Sequence, residues 1–473
     1  MAILQDILSR VVRKTTPSQA DRRRMSQLSS GLESEVRNIL RNYKYDAEVS
    51  IQGSVARDTW LREKADRADL DIFAAFPSSL PREEWGNRVI PELKKGLERH
   101  KPIERYAEHP YLEFHVDGVR VNVVPCYRVN RGEWKSATDR TPYHTQYMMA
   151  HLAGGMHSEV RLLKRFMKGI GVYGAEIRIG GFSGMLAETL IINYSSFVQT
   201  VEKAGQWNNH VLIQIEKAEE AKPKSHFDSE LVVVDPVDPN RNLAAAVRSE
   251  QLWSFVGASR EFLNSPSLRY FYPLKPKTRS ALESRRRLAR SGDVVAVVFP
   301  HPPMVVDVLW GQLLSLEKSL VGLLQRFDFR VVKSQPWSDE QKIGAILLEL
   351  EASQLPKTRT HLGPPVSRSE ESGAFLKRHQ SSSSTVAGPF IQKDRWIVEK
   401  KREYASAAEL IKRASRDSHL GLSIPKQLQT GFRSRINVVD KRKVVGLTSH
   451  SSLGQTLWDF LDGRPPWLRE QRP

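Results

Sequence analysis

The stretch IQGSVARDTWLREKADRADLDIF, residues 51–73, constrains this chain more than any other. An apolar run with Val49 and Ile51 leads into Gly53-Ser54. A basic, polar connection follows, and Asp69 and Asp71 then open a second apolar run, Ile72-Phe73-Ala74. On a strand, residues two apart share a face, so Asp69 and Asp71 project together while Leu70 points away. Two carboxylates on one face repel unless a cation lies between them. Hard oxygen ligands at that spacing suit Mg²⁺, which keeps some waters and takes the rest of its shell from phosphates. Gly53 lets the backbone come close to a phosphate, and Ser54 offers it a hydroxyl and an N–H. The pattern reads as a nucleotide–Mg²⁺ site in which the protein mainly positions phosphates and metal. Asp-x-Asp at a strand start and Gly-Ser turns are both common, so the pair takes its meaning from what lies downstream.

A chain of 473 residues has room for three or four domains. Its formal net charge of +18 favours a polyanionic partner, with RNA or DNA ahead of an anionic membrane. The single cysteine, Cys126, excludes an internal disulfide framework and a Cys-based zinc site. The N-terminal MAILQDILSRVVRKTT is amphipathic and lacks the h-region of a signal peptide. No run approaches the ~20 apolar residues of a spanning helix. The expectation is a soluble, cytoplasmic protein with no membrane partner.

Apolar spacing predicts helices over 3–13 and from Pro17-Ser18 to about Tyr43. A strand then leads to Gly53-Ser54, and PSSLPREEW restarts as a helix to about His100. Tyr111, Leu112, Phe114 and Val116 run into Asp117-Gly118, a hairpin signal, and the return strand ends at Pro125-Cys126-Tyr127. Residues 45–130 thus read as a small mixed sheet with flanking helices. From 140 to 260 the chain is mostly helical. Gly169-Ile170-Gly171-Val172-Tyr173-Gly174 breaks one helix and is no dinucleotide fingerprint, since no strand precedes it. Beyond 258 the pattern is strand, helix, strand, strand, half of a ferredoxin-like sandwich, interrupted by Gly363-Pro364-Pro365. The serine run Ser381–Ser384, inside a polar stretch over 368–388, reads as a mobile loop, and 389–473 as a small basic docked tail.

Across nearly its whole length the chain resembles the archaeal-type (class I) CCA-adding enzymes, the tRNA nucleotidyltransferases. The resemblance rests on GSVARDTWL with DLDIF, VVPCYRV (123–129), TPYHTQY (141–147), VRLLKRFMKGIGVYGAE (160–176), GFSGMLAETL (181–190) and VVVDPVDPNRNLAAAV (232–247). GPPV (363–366) and the Trp396 region extend it. It implies a multidomain α/β (α+β) chain in four parts. These are a polymerase-beta-like palm as head (1–142), a helical neck (143–258), a ferredoxin-like body (259–365) and a small C-terminal tail (366–473). It implies stepwise addition of C, C and A to the 3′ end of tRNA from CTP and ATP, with Mg²⁺ and without a nucleic-acid template. Body and tail would grip the acceptor stem and TΨC arm, and a homodimer is compatible with the family. Asp69 and Asp71 match the paired metal carboxylates. Gly53, Ser54 and Arg57 match the triphosphate contacts, and His144, Lys164 and Tyr173 match further nucleotide contacts. The Gly-Ser to carboxylate spacing is a few residues long, which implies an enlarged loop around Lys64–Arg67.

One position departs from the family. A third carboxylate belongs directly before VVPCY, as the third catalytic and metal-binding residue, and this chain has Asn122 there. Asn keeps the shape and one carbonyl oxygen but lacks the negative charge that a hard cation binds. The expectation is weakened metal affinity on the hydroxyl side and a much lower chemical rate. Asp117 and Glu113 are the nearby acids that could substitute. Two rival readings follow: a poly(A)-polymerase-like enzyme on the same head, and a catalytically dead tRNA-binding protein.

Overall fold

The computed structural model describes residues 2–62, 69–106, 108–215, 227–274, 281–449 and 451–469. They form two compact units, Met1–Lys275 with Pro465–Pro473, and Pro276–Arg464.

The first unit opens with α1 (Ala2–Thr15) and α2 (Gln19–Asn42). Ser18 starts α2 through a capping box, its side chain accepting from the Asp21 N–H while Asp21 accepts from the Ser18 N–H. Strand β1 (Glu48–Gln52) runs into the single turn α3 (Gly53–Ala56), and β2 spans Asp69–Pro77. After α4 (Ile90–Gly96) come β3 (Ile103–Tyr106), β4 (Pro110–Val116) and β5 (Val119–Arg128). The sheet order is β1-β2-β5-β4-β3, antiparallel except for the parallel β2·β5 pair. The expected hairpin joins β4 to β5, with Asp117 and Gly118 both at positive φ (52° and 76°), as a primed turn requires. Leu70, Ile72, Ala74 and Phe76 of β2 and Val121 and Val123 of β5 are buried against the helical layer. Alternation therefore puts Asp69, Asp71, Arg120 and Asn122 together on the other face.

The helical part follows with α5 (Thr141–His151), α6 (Met156–Ile170), α7 (Gly184–Tyr194) and α8 (Phe197–Gly205). The two-stranded β6 (Val211–Ile213) and β7 (Leu231–Val233) and then α9 (Ser249–Asn264) complete it. Gly171 ends α6 in the left-handed conformation (φ 84°), where a side chain would be strained. Phe166 is the centre of the core, with ring centroids 5.4–6.3 Å from Phe197, Phe255, Phe262, Tyr270 and Phe271. Trp467, from the far end of the chain, belongs to the same core.

The second unit contains α10 (Ala281–Arg290), β8 (Asp293–Pro300), α11 (Val306–Arg326), β9 (Val331–Ser338) and β10 (Ile343–Leu350). Then come β11 (Thr358–Pro365), α12 (Ser369–His379), β12 (Thr385–Gln392) and β13 (Arg395–Lys401). The unit ends with α13 (Ala407–Ala414), α14 (Gln429–Arg435), β14 (Asn437–Val439) and α15 (Ser451–Asp462). The antiparallel order β14-β8-β10-β9 is the ferredoxin-like one. The half visible in the sequence is completed by β14, from within the stretch read as tail. The sheet β11-β13-β12 is inserted between β10 and β14. Gly363-Pro364-Pro365 does not break the structure: it ends β11, an edge strand, where a missing N–H can face outward. The polar stretch 368–388 is also more regular than its composition suggests. It holds α12 and the start of β12, and Ser381–Ser384 forms the turn between them, with Ser382 and Ser384 hydroxyls 2.9 Å apart. No helix among the described residues is long and apolar enough to cross a membrane.

Candidate active site

The parallel register of β2 and β5 sets Asp69 opposite Arg120 and Asp71 opposite Asn122. The Asn122 amide donates to Asp71 Oδ1 at 2.9 Å. The Arg120 guanidinium grips Asp69 with both arms, Nε to Oδ1 at 2.9 Å and a terminal nitrogen to Oδ2 at 2.5 Å. Burial pushes the Asp71 carboxyl above the usual carboxylate range; the Asn122 hydrogen bond opposes this and the charge of Asp69 adds to it. Gln52 of β1 pairs with Asp71 on the opposite side, so the turn at Gly53 runs directly against that carboxylate. Gly53 has φ 71°, and a Cβ added there would collide with Asp71 Oδ2. Ser54 sits in the same turn, its carbonyl accepting from the Thr59 N–H at 2.9 Å.

Neither candidate for a substitute third acid reaches this pair. Asp117 sits at the hairpin tip beside Arg24, 3.3 Å away. Glu113 of β4 lies directly opposite Asn122, on the same face, but its Oε1 is held by Arg105 at 2.9 and 3.2 Å. Among the described residues no three acidic, histidine or cysteine side chains converge as a metal cage. Two adjacent carboxylates with phosphate oxygens suit one divalent cation. The amide nitrogen at Asn122 faces Asp71 as a donor and adds no anionic ligand. The lengthened connection around Lys64–Arg67 lies outside the described residues.

Arg57 and Lys164 belong to a buried ionic cluster built on an acid, Glu188, that the sequence reading left out. Glu188 of α7, fully buried, accepts from Lys164 Nζ at 2.7 Å. Arg57 Nε is 2.7 Å from its other oxygen, close enough for an ion pair though not aligned as a hydrogen bond. Lys164 also donates to the Thr59 hydroxyl at 3.0 Å, and Thr59 donates to Glu188 at 2.5 Å. Burial pushes the Glu188 carboxyl up, but Lys164 and Arg57 outweigh it and hold it down to about 2. Burial lowers the Lys164 ammonium, Glu188 resists, and the Arg57 charge adds to the lowering. Two cations share one carboxylate, leaving an excess of positive charge next to the Gly-Ser turn.

Arg161, one turn before Lys164 on α6, reaches the same loop. It donates to the Trp60 carbonyl at 3.1 Å and pairs with Asp58 at 3.0 Å. Residues at i and i+3 share a helix face, so α6 holds the segment after Gly53-Ser54 at two points. Tyr173 belongs to this corner: a Cβ on Gly184 would lie 3.0 Å from its hydroxyl and 3.7 Å from Lys164 Nζ. His144, on α5, is held through Nε2 by Asp235 at 2.9 and 3.0 Å, and Arg57 reaches Thr145 at 3.3 Å. Burial raises the Asp235 carboxyl, while His144, the Val237 N–H and Arg241 lower it to a net depression.

The structure thus gathers Gly53, Asp71 and Asn122 at one point, with Asp69 beside them, and Arg57, Lys164 and Tyr173 at a second. The sequence reading missed Arg120, Glu188, Asp235 and Arg161. Glu188 had a visible signal: an acid within the apolar run GMLAETLII must be paired if buried. Arg120 had one as well, two residues before Asn122 and so on the same face.

Three family models match the chain: a nucleotidyltransferase domain over 33–144, the second domain of tRNA nucleotidyltransferase over 158–272, and the C-terminal domain of CCA-adding enzyme over 290–437. A CCA-adding enzyme of Methanosarcina acetivorans is 35% identical over 440 residues, 91% of this chain and 94% of its own. One from Pyrobaculum islandicum is 35% identical over 419 residues, 87% and 94% of the two chains. One from Halorubrum lacusprofundi is 36% identical over 451 residues, 90% and 93%. The matches span both units, and the chain therefore belongs to the archaeal-type family of CCA-adding enzymes.

Proposed function

We propose that this protein adds C, C and A stepwise to the 3′ end of tRNA from CTP and ATP, without a nucleic-acid template, and that its chemical step is slow. The observation that carries the reading is the union of the Asp69/Asp71 strand pair, the Gly53 turn pressed against it, and the buried Arg57–Lys164–Glu188 cluster. In each addition the tRNA 3′-oxygen forms a bond to the α-phosphorus, the bond from that phosphorus to the bridging oxygen breaks, and pyrophosphate leaves. The hydroxyl proton passes to solvent or phosphate. Asp69 and Asp71 would hold Mg²⁺, which would supply positive charge to the triphosphate oxygens and the departing pyrophosphate. Ser54 binds a phosphate oxygen through its hydroxyl and N–H. The excess positive charge of the Arg57–Lys164–Glu188 group attracts the triphosphate through a water-poor interior, where its field is weakly screened. Tyr173 and His144 orient the nucleotide.

The Asn122 amide on Asp71 is the specific observation that favours a second reading, a head that binds the tRNA end and nucleotide without joining them. Incorporation of labelled CTP and ATP into tRNA lacking its CCA end, by the parent and by the double variant Arg120→Ala with Asn122→Asp, each with Mg²⁺, tests both. The first reading expects slow C-C-A addition by the parent and addition faster by at least about tenfold in the variant, since a catalytic metal is worth several kcal/mol. ATP-only tailing without an end would favour the poly(A)-polymerase-like alternative. Absence of CTP transfer by either protein, with tRNA still bound, would leave the binding reading.

A further inference from the structure

The return strand of this head presents no carboxylate toward Asp69 and Asp71. It presents an amide at Asn122 and a guanidinium at Arg120, in register with the two acids. The contacts are direct: Arg120 takes one oxygen of Asp69 with Nε and the other with a terminal nitrogen, and Asn122 takes Asp71 Oδ1. Glu113, opposite Asn122 on the same face, is neutralised by Arg105, so the charge left at the site is two carboxylates and one guanidinium, a net −1. A third carboxylate with a neutral residue at 120 would make it −3. Hard divalent cations are selected by this count of charged oxygens. A fixed cation lying between strands on the carboxylate face both neutralises one ligand and repels a second metal.

We propose that Arg120 is a built-in occupant of the hydroxyl-side metal position, and that this head has become a one-metal nucleotide site. The inference rests on the nucleotidyltransferase reading of the site and deepens it. Asp71, the triphosphate and one remaining lone pair of Asp69 hold the single nucleotide-side ion. Each oxygen of Asp69 has a second lone pair, so it can serve that ion while Arg120 stays in place. It has no free oxygen left to bridge to a second ion, because the guanidinium already takes both. The pair is half-exposed on both sides (49% and 42%), so Arg120 is a competitor that substitution can remove and not a buried structural tie. Two changes in the return strand act together here. Restoring the acid at 122 alone leaves Arg120 on the same strand face two residues away, still holding both oxygens of Asp69.

The test counts metal ions and does not depend on turnover. Mn²⁺ is titrated, with free Mn²⁺ read by electron paramagnetic resonance, into the full chain holding α,β-methylene-CTP. The parent is expected to bind one Mn²⁺ per protein–nucleotide complex. Asn122→Asp is expected to stay at one tight ion, with any second ion at least about tenfold weaker than in the double variant, the scale on which outer-shell partners change metal affinity. Arg120→Ala with Asn122→Asp is expected to bind two. Arg120→Lys with Asn122→Asp keeps the charge without the fork and is expected to remain near one, which guards against misreading a folding defect. Two tight ions in the parent would overturn the proposal. So would full recovery of the second ion by Asn122→Asp alone. The family activity is read separately by CTP incorporation, so a chain that counts metals as expected yet never transfers CTP would sink the proposed function and leave this inference standing.

Discussion

At the scale of single residues, Gly53 is the tightest constraint on the site. Its φ of 71° lies where an L side chain costs about 1–2 kcal/mol, and the space where a Cβ would go is occupied by Asp71 Oδ2. Gly53→Ala must therefore either move the carboxylate or open the turn between β1 and α3. The chain as a whole should tolerate this, because α3 contributes no fully buried residue and meets the core beneath the sheet only through the partly buried Val55. The expected outcome is a CTP-incorporation rate reduced by at least about tenfold, through misplacement of the reacting groups, with a melting temperature lowered by only a few degrees. Parallel measurement of rate and thermal unfolding checks it. A variant as fast as the parent would mean that the close approach of Gly53 to Asp71 does not set the geometry of the reaction.

At the scale of elements, the segment after Gly53-Ser54 is held by two helices, α6 through Arg161 and Lys164 and α7 through Glu188. The single carboxylate of Glu188 neutralises part of two buried cations. Its removal as Glu188→Gln should cost roughly 3–5 kcal/mol at neutral pH, the usual penalty for leaving a buried charge without its partner. The pH dependence has a definite sign. The folded carboxyl is held down to about 2, below its ordinary value of 4.5, so its contribution is complete above about pH 4.5 and fades as pH falls toward 2. The stability gap between parent and Glu188→Gln should be smaller at pH 3.5 than at pH 7 by about 1 kcal/mol or more. Urea unfolding at the two pH values measures it; an unchanged gap would show that shape rather than charge makes Glu188 necessary. Much of this level was legible in the sequence. The alternation around Asp69 and Asp71, the Asp117-Gly118 hairpin and the stripe of α6 each follow from a local period. The pairings of Glu188 with Lys164 and of Asp235 with His144 were not, because they join residues 24 and 91 positions apart and no period records them. Strand β14 was missed for a similar reason: three residues carry no alternation, and only the edge of β8 makes Asn437–Val439 a strand.

At the scale of the whole molecule, charge is the property that composition gave most directly, and its consequence is quantitative. A net +18 on a member of a tRNA-acting family should make affinity for tRNA depend steeply on salt, because each phosphate that is neutralised releases counterions. If about six phosphates are neutralised, the log–log slope of affinity against salt should be about −4 or steeper. The second unit offers a defined place to look for part of it. A cavity of about 610 Å³ there is lined by Arg326, Arg359, Lys400, Lys401 and Arg402, with Asp328 and Glu403 as its acids and Ser383 and Ser384 at its wall. Asp328 already pairs with Arg359 and Arg402, so those two guanidinium groups are partly neutralised. Lys400 and Lys401, on β13, are the better electrostatic handles. Lys400→Ala with Lys401→Ala should weaken tRNA binding uniformly and make the salt slope shallower by about two, roughly one for each phosphate that no longer meets a lysine. Fluorescence anisotropy of labelled tRNA across a salt series, on the full chain, supplies both slopes. The same double variant should leave the Mn²⁺ count of the head unchanged, since neither lysine belongs to the unit that carries Asp69 and Asp71. An unchanged slope with weaker binding would assign the two lysines to the folding of β13 rather than to phosphate recognition. An unchanged slope with unchanged binding would move the electrostatic grip to another part of the molecule.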